Sequence, residues 1–333
     1  MPALLKPSEI VRQLSEHVIG QDEAKKTLAV AIYAHFRRMA NAAVDSVELS
    51  KSNILLIGPT GTGKTLLCET LSRILDVPFV TADATSLAQT QFVGDEIEAI
   101  LHRLVDRADG NLERAQRGIV FVDEVDKLKA VSGQARATSG ESVQHALLKI
   151  MEGAPVRLKD GRHIDTTHIL FICGGAFVGL DSIMTKTHSF GFISTSGEDD
   201  HNILERLNAR IKPTDLLEFG LIPEFAGRLP IVTRLGELTL DMLIRIMTEP
   251  KNAIYKQFAA MLQADGVELQ VAPDVFRQIA ELAIEYKAGA RSLRGIFEEM
   301  MGEVLYAIPD RPEIRQVIIN SLFEAPQFLT AQG

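Results

Sequence analysis

The chain has 333 residues, 46% of them apolar, and its 44 acidic against 35 basic residues leave a net charge of −9. That length exceeds the size at which one hydrophobic core keeps growing, so two domains are expected, and the acidic balance argues against non-specific nucleic-acid binding. Cys68 and Cys173 can build no disulfide framework and have no Cys or His at C-x-x-C spacing to hold zinc, no apolar run reaches the ~18 residues of a membrane span, and no signal peptide is read, so a reducing, cytoplasmic setting is expected.

In chain order, apolar spacing predicts helices over Ser8–Leu14 and Asp22–Met39, interrupted by a turn at His17–Gln21. The apolar run Asn53–Ile57 reads as a strand and leads directly into Gly58-Pro59-Thr60-Gly61-Thr62-Gly63-Lys64-Thr65. This octapeptide fits the phosphate-binding pattern G-x-x-x-x-G-K-[ST] at every fixed position. Backbone N–H groups can wrap a phosphate only where the chain approaches closely and turns freely; the glycines allow both, and the following helix offers its positive end. The run from Gly58 to Thr65, with Leu66 after it, is the expected nucleotide contact: Lys64 would reach the β- and γ-phosphates and Thr65 would sit on Mg²⁺.

A strand at Phe79–Asp83 follows. Gly118–Val122 then reads as a buried parallel strand, apolar without alternation, that ends in Asp123-Glu124. Asp123 is placed to hold Mg²⁺ through water, and Glu124 to orient or deprotonate an attacking water. Taken alone, the pair could equally be a solvated acidic turn, since Asp126 and Lys127 follow; behind a complete phosphate loop it forms one hydrolysis site. With a further strand at His168–Cys173, the alternation of strands and helices implies a parallel sheet covered on both faces, so residues 1–235 read as one α/β nucleotide domain. The polar stretch Lys186–His201 reads as a mobile loop.

Beyond a hinge at Leu235-Gly236-Glu237 the character changes. Residues 236–333 carry a helical stretch over Leu240–Ala264, a strand at Val267–Val271, helices over Asp274–Tyr286 and Arg291–Ile308, and a strand at Val317–Phe323. That is a small, mostly helical mixed α/β domain.

Val18-Ile19-Gly20-Gln21, the phosphate loop, Asp123-Glu124, the segment Ile169–Phe177, Gly220–Arg228 and Gly289-Ala290-Arg291 occur in the order found in the ClpX family of AAA+ protein unfoldases, which the chain resembles over nearly its whole length. The resemblance implies a P-loop NTPase fold and a homohexamer that hydrolyses ATP and threads protein substrates through a central pore. Adenine would lie against Val18 and Ile19. Arg228 would be the arginine finger for a neighbouring copy's γ-phosphate, and Arg291 the sensor arginine that lets nucleotide set the angle across the hinge. Thr90–Asp95 matches the pore loop, with Phe92, Val93 and Gly94 as substrate contacts; Gln91 and Phe92 stand where the family usually has glycine and tyrosine. An aromatic on a short loop can press on any polypeptide, because apolar contact is non-directional. Without the resemblance, Phe92 would read as helix-start core.

Arg136–Glu141 matches the second pore loop, and Lys159–His163 sits where the family carries a longer basic loop at the pore entrance. Phe190-Gly191-Phe192 stands where the family docks onto the ClpP peptidase, which makes a ClpP-like peptidase the expected partner. The resemblance does not extend to the family's N-terminal zinc-binding domain, so no zinc is expected. Three other readings compete: a remodelling chaperone without a peptidase, a nucleic-acid motor, which calls for basic pore loops in place of Phe92, Val93, Asp95 and Glu96, and a non-hydrolysing ring.

Overall fold

The computed structural model describes residues 5–41, 51–90, 92–129, 140–188 and 210–330, and their contacts divide the chain into two compact units. The first comprises residues 1–11, 23–59 and 64–235. Its sheet is built from β1 (Ile54–Ile57), β2 (Phe79–Asp83), β3 (Ile119–Asp123), β6 (Leu170–Gly175) and β7 (Ile231–Arg234), all parallel, in the order β2-β3-β6-β1-β7. Every residue of β1 and β6 is buried, as are the first four of β3, which is why these strands read as unbroken apolar runs. The expected strands appear within two residues of their sequence bounds. β7 was not expected: it is short, follows Pro230, and lies at the sheet edge against β1 alone.

Helices α2 (Asp22–Asn41), α3 (Lys64–Leu75), α4 (Ala84–Gln89), α5 (Val93–Arg107), α6 (Leu112–Ala115), α7 (Gly140–Glu152) and α8 (Leu180–His188) connect or flank the strands, and β4 (Pro155–Arg157) pairs with β5 (His163–Asp165) as an antiparallel hairpin. Because α8 runs to His188, Lys186–His188 are helical, a correction to the loop expected there; Ser189–His201 lie outside the described residues.

At the N-terminal edge of β6, three successive carbonyls each accept a hydrogen bond from a side chain: Thr166 from Lys51 Nζ (2.8 Å), Thr167 from Arg38 Nη2 (3.2 Å) and His168 from His35 Nε2 (3.1 Å). Partly buried carbonyls ahead of the strand ladder are satisfied by such donors. Burial, reinforced by the Arg38 charge, holds His35 down to about 3 and Lys51 down to about 7.

The second unit comprises residues 12–22, 60–63 and 236–333. Helices Leu240–Thr248, Ile254–Ala264, Pro273–Glu285 and Arg291–Ala307 pack with a three-stranded sheet in which β9 (Ile314–Ile319) lies between β8 (Glu268–Val271), parallel to it, and β10 (Gln327–Thr330), antiparallel. Phe297 anchors the core, with ring centroids 5.1 Å from Phe258 and 6.4 Å from Phe276. The single helix expected over Leu240–Ala264 is two, broken at Pro250, which has no N–H to continue the ladder. The last expected strand starts three residues earlier, at Ile314, and ends at Ile319; Leu322 and Phe323 lie beyond it.

Candidate nucleotide site and pore segment

β1 ends at Ile57 and α3 begins at Lys64, so residues 58–63 form a tight connection from strand end to helix start. Gly58 N–H donates to the Gly175 carbonyl of β6 (3.1 Å), and Leu235 N–H donates to the Ile57 carbonyl (2.7 Å). A Cβ on Gly58 would stand 2.7 Å from the Leu235 carbonyl oxygen, closer than real Cβ atoms come. Gly61 and Gly63 take φ of 81° and 98°, the left-handed region that favours glycine. Lys64 is buried, and its Nζ donates to the carbonyls of Gly58 (2.7 Å) and Pro59 (3.0 Å), which holds the ammonium inside the loop. Thr65 and Leu66 are the next residues of α3, at the helix end where free N–H groups attract anions.

Two strands away, Asp123 closes β3 and its Oδ1 accepts the Glu124 N–H (2.9 Å). Glu124 has φ 60° and ψ 30°, a conformation that costs a non-glycine residue about 1–3 kcal/mol and that clusters at active sites. Strand β6 runs between β1 and β3, and its two glycines make room for this corner. A Cβ on Gly174 would stand 2.7 Å from the Phe121 ring and 3.3 Å from Asp123 Oδ1; one on Gly175 would stand 2.5 Å from Asp126 Oδ1. Asp126 is buried, accepts the Ala176 N–H (3.3 Å) and pairs with Lys127 (3.6 Å). Sequence reasoning missed this Gly174-Gly175-Asp126 interlock, although two glycines closing an apolar strand were a legible signal. Cys68 on α3 and Cys173 on β6 are buried free thiols. Burial, and after it the Asp123 carboxylate, push the Cys68 thiol up; burial pushes Cys173 up to about 12.

Arg228 lies at the other end of the sheet. Asn53, just before β1, donates from Nδ2 to the Arg228 carbonyl (3.1 Å), and the Arg228 guanidinium donates from Nε (3.1 Å) and Nη2 (2.8 Å) to Glu152 Oε1. The four residues of β1 therefore separate Arg228 from the phosphate loop of its own chain, a span of roughly 13 Å at the usual strand rise. The guanidinium is half exposed. The segment Gly220–Arg228 is held by a buried amide that sequence reasoning also missed: Gln144 donates to the Leu128 carbonyl (2.8 Å) and accepts the Ile222 N–H (2.9 Å).

In the second unit, Val18 and Ile19 are buried. Gln21, at φ 58°, pairs both ways with Gly236, donating to its carbonyl and accepting its N–H at 2.9 Å each. Arg291 opens its helix, is exposed, and has no ion-pair partner among the described residues. The preceding Ala290 N–H donates to the Gly61 carbonyl (3.3 Å).

Phe92 is 70% exposed at the residue before α5, and its ring is not helix-start core. Val93 is buried in the core with Ile97 and Leu101, so of the two apolar residues expected to touch substrate, the first is presented to solvent and the second is not. A Cβ on Gly94 would meet nothing within 4 Å. Gly140 and Glu141 of the second expected pore loop begin α7; Arg136–Ser139 lie outside the described residues, as do Phe190, Gly191 and Phe192.

Among the described residues no helix is long and apolar enough to cross a membrane, and no three His, Cys, Asp or Glu side chains converge as a metal cage. Residues 49–232 match the AAA domain (Cdc48 subfamily), and residues 238–317 match the C-terminal, D2-small domain of ClpB protein. The chain is 45% identical to the ATP-dependent Clp protease ATP-binding subunit ClpX of Treponema denticola, across 96% of this chain and 81% of that protein. It is 46% identical to the protein of the same name from Azotobacter vinelandii, across 94% and 77%.

Proposed function

The chain belongs to the ClpX family of AAA+ ATPases, and from that premise we propose that it works as a ring of copies in which ATP hydrolysis between neighbours pulls protein substrates past Phe92. It is an ATP-dependent protein unfoldase. The observation that carries the assignment is the convergence of the Gly58–Thr65 loop and the Asp123-Glu124 corner at one strand edge, joined through Gly175 of β6.

The donor set fits a nucleotide with Mg²⁺. The loop approaches closely enough that Gly58 has no room for a methyl, α3 offers its N-terminal end, and one hydroxyl (Thr65) and one carboxylate (Asp123) suit a hard cation that keeps most of its water and takes phosphate oxygens. The ion, when bound, neutralises charge on the transferring phosphoryl group. Lys64 stabilises the phosphates, and its present carbonyl partners hold it where they arrive. Glu124, held by its left-handed backbone, orients a water and accepts its proton. Val18 and Ile19 give adenine an apolar surface. The length of β1 separates Arg228 from its own chain's loop, which supports a role in trans on a neighbour's γ-phosphate, with Glu152 holding the guanidinium until it is engaged. Arg291 answers the same phosphates from residues 236–333, so that nucleotide state moves that domain and, through it, Phe92. Residues 1–235 and 236–333 are the two domains in this reading.

The exposed Phe92, followed by Asp95 and Glu96 in the first turn of α5, favours an apolar grip on polypeptide over a nucleic-acid motor. The relatives' name as the ATP-binding subunit of a Clp protease supports delivery to a ClpP-like peptidase, with Phe190-Gly191-Phe192 as the docking anchor in a cytoplasmic setting. Glu124→Gln tests the core of the assignment: nucleotide binding is retained while ATP turnover falls by about a hundredfold or more. Turnover near the wild-type rate refutes the role given to Glu124. Phe192→Ala abolishes retention of a ClpP-type peptidase in a pull-down; undiminished retention overturns the docking assignment.

A further inference from the structure

The turn between β4 and β5, residues 158–162, lies along α5, the helix that begins one residue after Phe92. Leu158 is buried in the same core as Leu101 and Val105 of α5, and the turn is closed by Leu158 N–H to the Arg162 carbonyl and Gly161 N–H to the Leu158 carbonyl, both 2.8 Å, with Gly161 at φ 86°. From this base three side chains reach the helix at three heights. Lys159 Nζ stands 3.7 Å from Asp95 in the first turn, three residues from Phe92. Asp160 Oδ2 stands 3.6 Å from His102 Nε2, and the other ring nitrogen, Nδ1, meets Asp106 Oδ2 at 3.1 Å. Arg162 Nη1 donates to the Gly110 carbonyl just past the helix end (3.4 Å). Arg162 is itself fixed by Asp160, which accepts its backbone N–H at 2.9 Å, its Nε at 2.7 Å and its Nη2 at 2.6 Å.

We propose that this turn is a brace that positions α5, and through it Phe92, against the load of a moving substrate, in place of a free basic surface that contacts substrate. The charge arrangement argues for it: Lys159 and Arg162 both face carboxylates of this chain, so their positive charge is matched locally and little remains to attract an incoming acidic tail. The position of Phe92 argues for it as well. It has no side-chain cap of its own, Gly94 stands in open space, and the helix behind it is anchored to the core by Ile97, Ile100, Leu101 and Leu104 on one face. The brace fastens part of the rest. Exposed ion pairs contribute little to folding stability, so the fold survives without them, while the helix loses restraint along its axis. The inference rests on the reading that Phe92 grips substrate.

The test uses the full chain with Mg²⁺ and ATP and a folded reporter carrying either a neutral or an acidic tail. Asp160→Ala, with Arg162→Ala as the second variant, leaves basal ATP turnover and melting temperature unchanged and leaves KM for both reporters unchanged, but lowers kcat for unfolding by about fivefold, so more ATP is consumed per reporter. Asp160→Glu restores kcat. A rise in KM confined to the acidic tail, with kcat unchanged, would show the turn to be a substrate contact and overturn the brace, as would wild-type kinetics in both alanine variants or a loss of melting temperature that accounts for the lower rate. Phe92→Ala is measured alongside: if unfolding persists in it at the wild-type rate, the reading of Phe92 fails, whatever Asp160 does.

Discussion

The phosphate-loop edge of the sheet and the Phe92 segment are held in opposite ways. At the edge, backbone is packed against close neighbours: Gly58 against the Leu235 carbonyl, and Gly174 and Gly175 against the side chains of Phe121, Asp123 and Asp126, with no room for a methyl at any of the three glycines. At Phe92 the ring is exposed, the neighbouring Gly94 meets nothing, and the charged partners of α5 are themselves solvated. Phosphoryl transfer needs fixed positions, since its catalysis is almost wholly placement and charge. A grip on arbitrary polypeptide needs a surface and some compliance.

The strongest way to break this contrast is to add one methyl to the edge. Gly175→Ala puts a carbon against a buried carboxylate; it costs about 1–3 kcal/mol of stability and lowers ATP turnover by at least about tenfold, read by thermal unfolding and a phosphate-release assay. An alanine variant that is stable and fully active removes the claim that this corner is rigid. Next in size is Phe92→Ala, which keeps ATP turnover within about twofold of wild type and lowers reporter unfolding by about tenfold. Equal loss of both activities would show that Phe92 belongs to the rigid edge after all.

How far the sequence makes these two regions legible differs in the same sense. The loop Gly58–Thr65 and the corner Asp123-Glu124 are local strings whose chemistry follows from residue type and spacing, and strand Phe79–Asp83 is read to the residue because turn and cap residues flank it. The interlock at Gly174, Gly175 and Asp126 joins residues about fifty apart: the two glycines closing the strand are a local signal, but nothing local names Asp126 as their partner. Val93 looks like part of an exposed pair with Phe92, yet it is the first core residue of α5; one position of phase along a helix decides which side chain faces solvent. The β4–β5 hairpin and the edge strand Gln327–Thr330 are too short to carry a period, and the helix expected through Pro250 shows apolar spacing prevailing where the missing N–H should have weighed more.

A smaller effect sharpens the contrast from the buried N-terminal edge. His35 is held down to about 3 by burial, so its folded form resists a proton that the unfolded chain accepts near 6.5. Stability from this source is intact above about pH 6.5 and is lost as pH falls towards 3, by about 1 kcal/mol at about pH 5.5. His35→Gln, which keeps a donor for the His168 carbonyl, removes that component, so the difference between the two stability curves slopes across this window; a flat difference contradicts it. The smallest effect is Phe92→Tyr, which leaves unfolding within about twofold, because apolar contact area survives and only a hydroxyl is added.

Hydrolysis shared between copies is the central claim, and one mixing experiment reaches it directly. Arg228→Ala and Glu124→Gln are each inactive alone. Combined in equal amounts and allowed to exchange, they regain about a quarter of the wild-type sites, wherever an intact Glu124 in one copy meets an intact Arg228 in the next. Recovery of ATP turnover towards that fraction is the predicted result; no recovery in rings shown to contain both variants contradicts the claim that Arg228 acts across the interface.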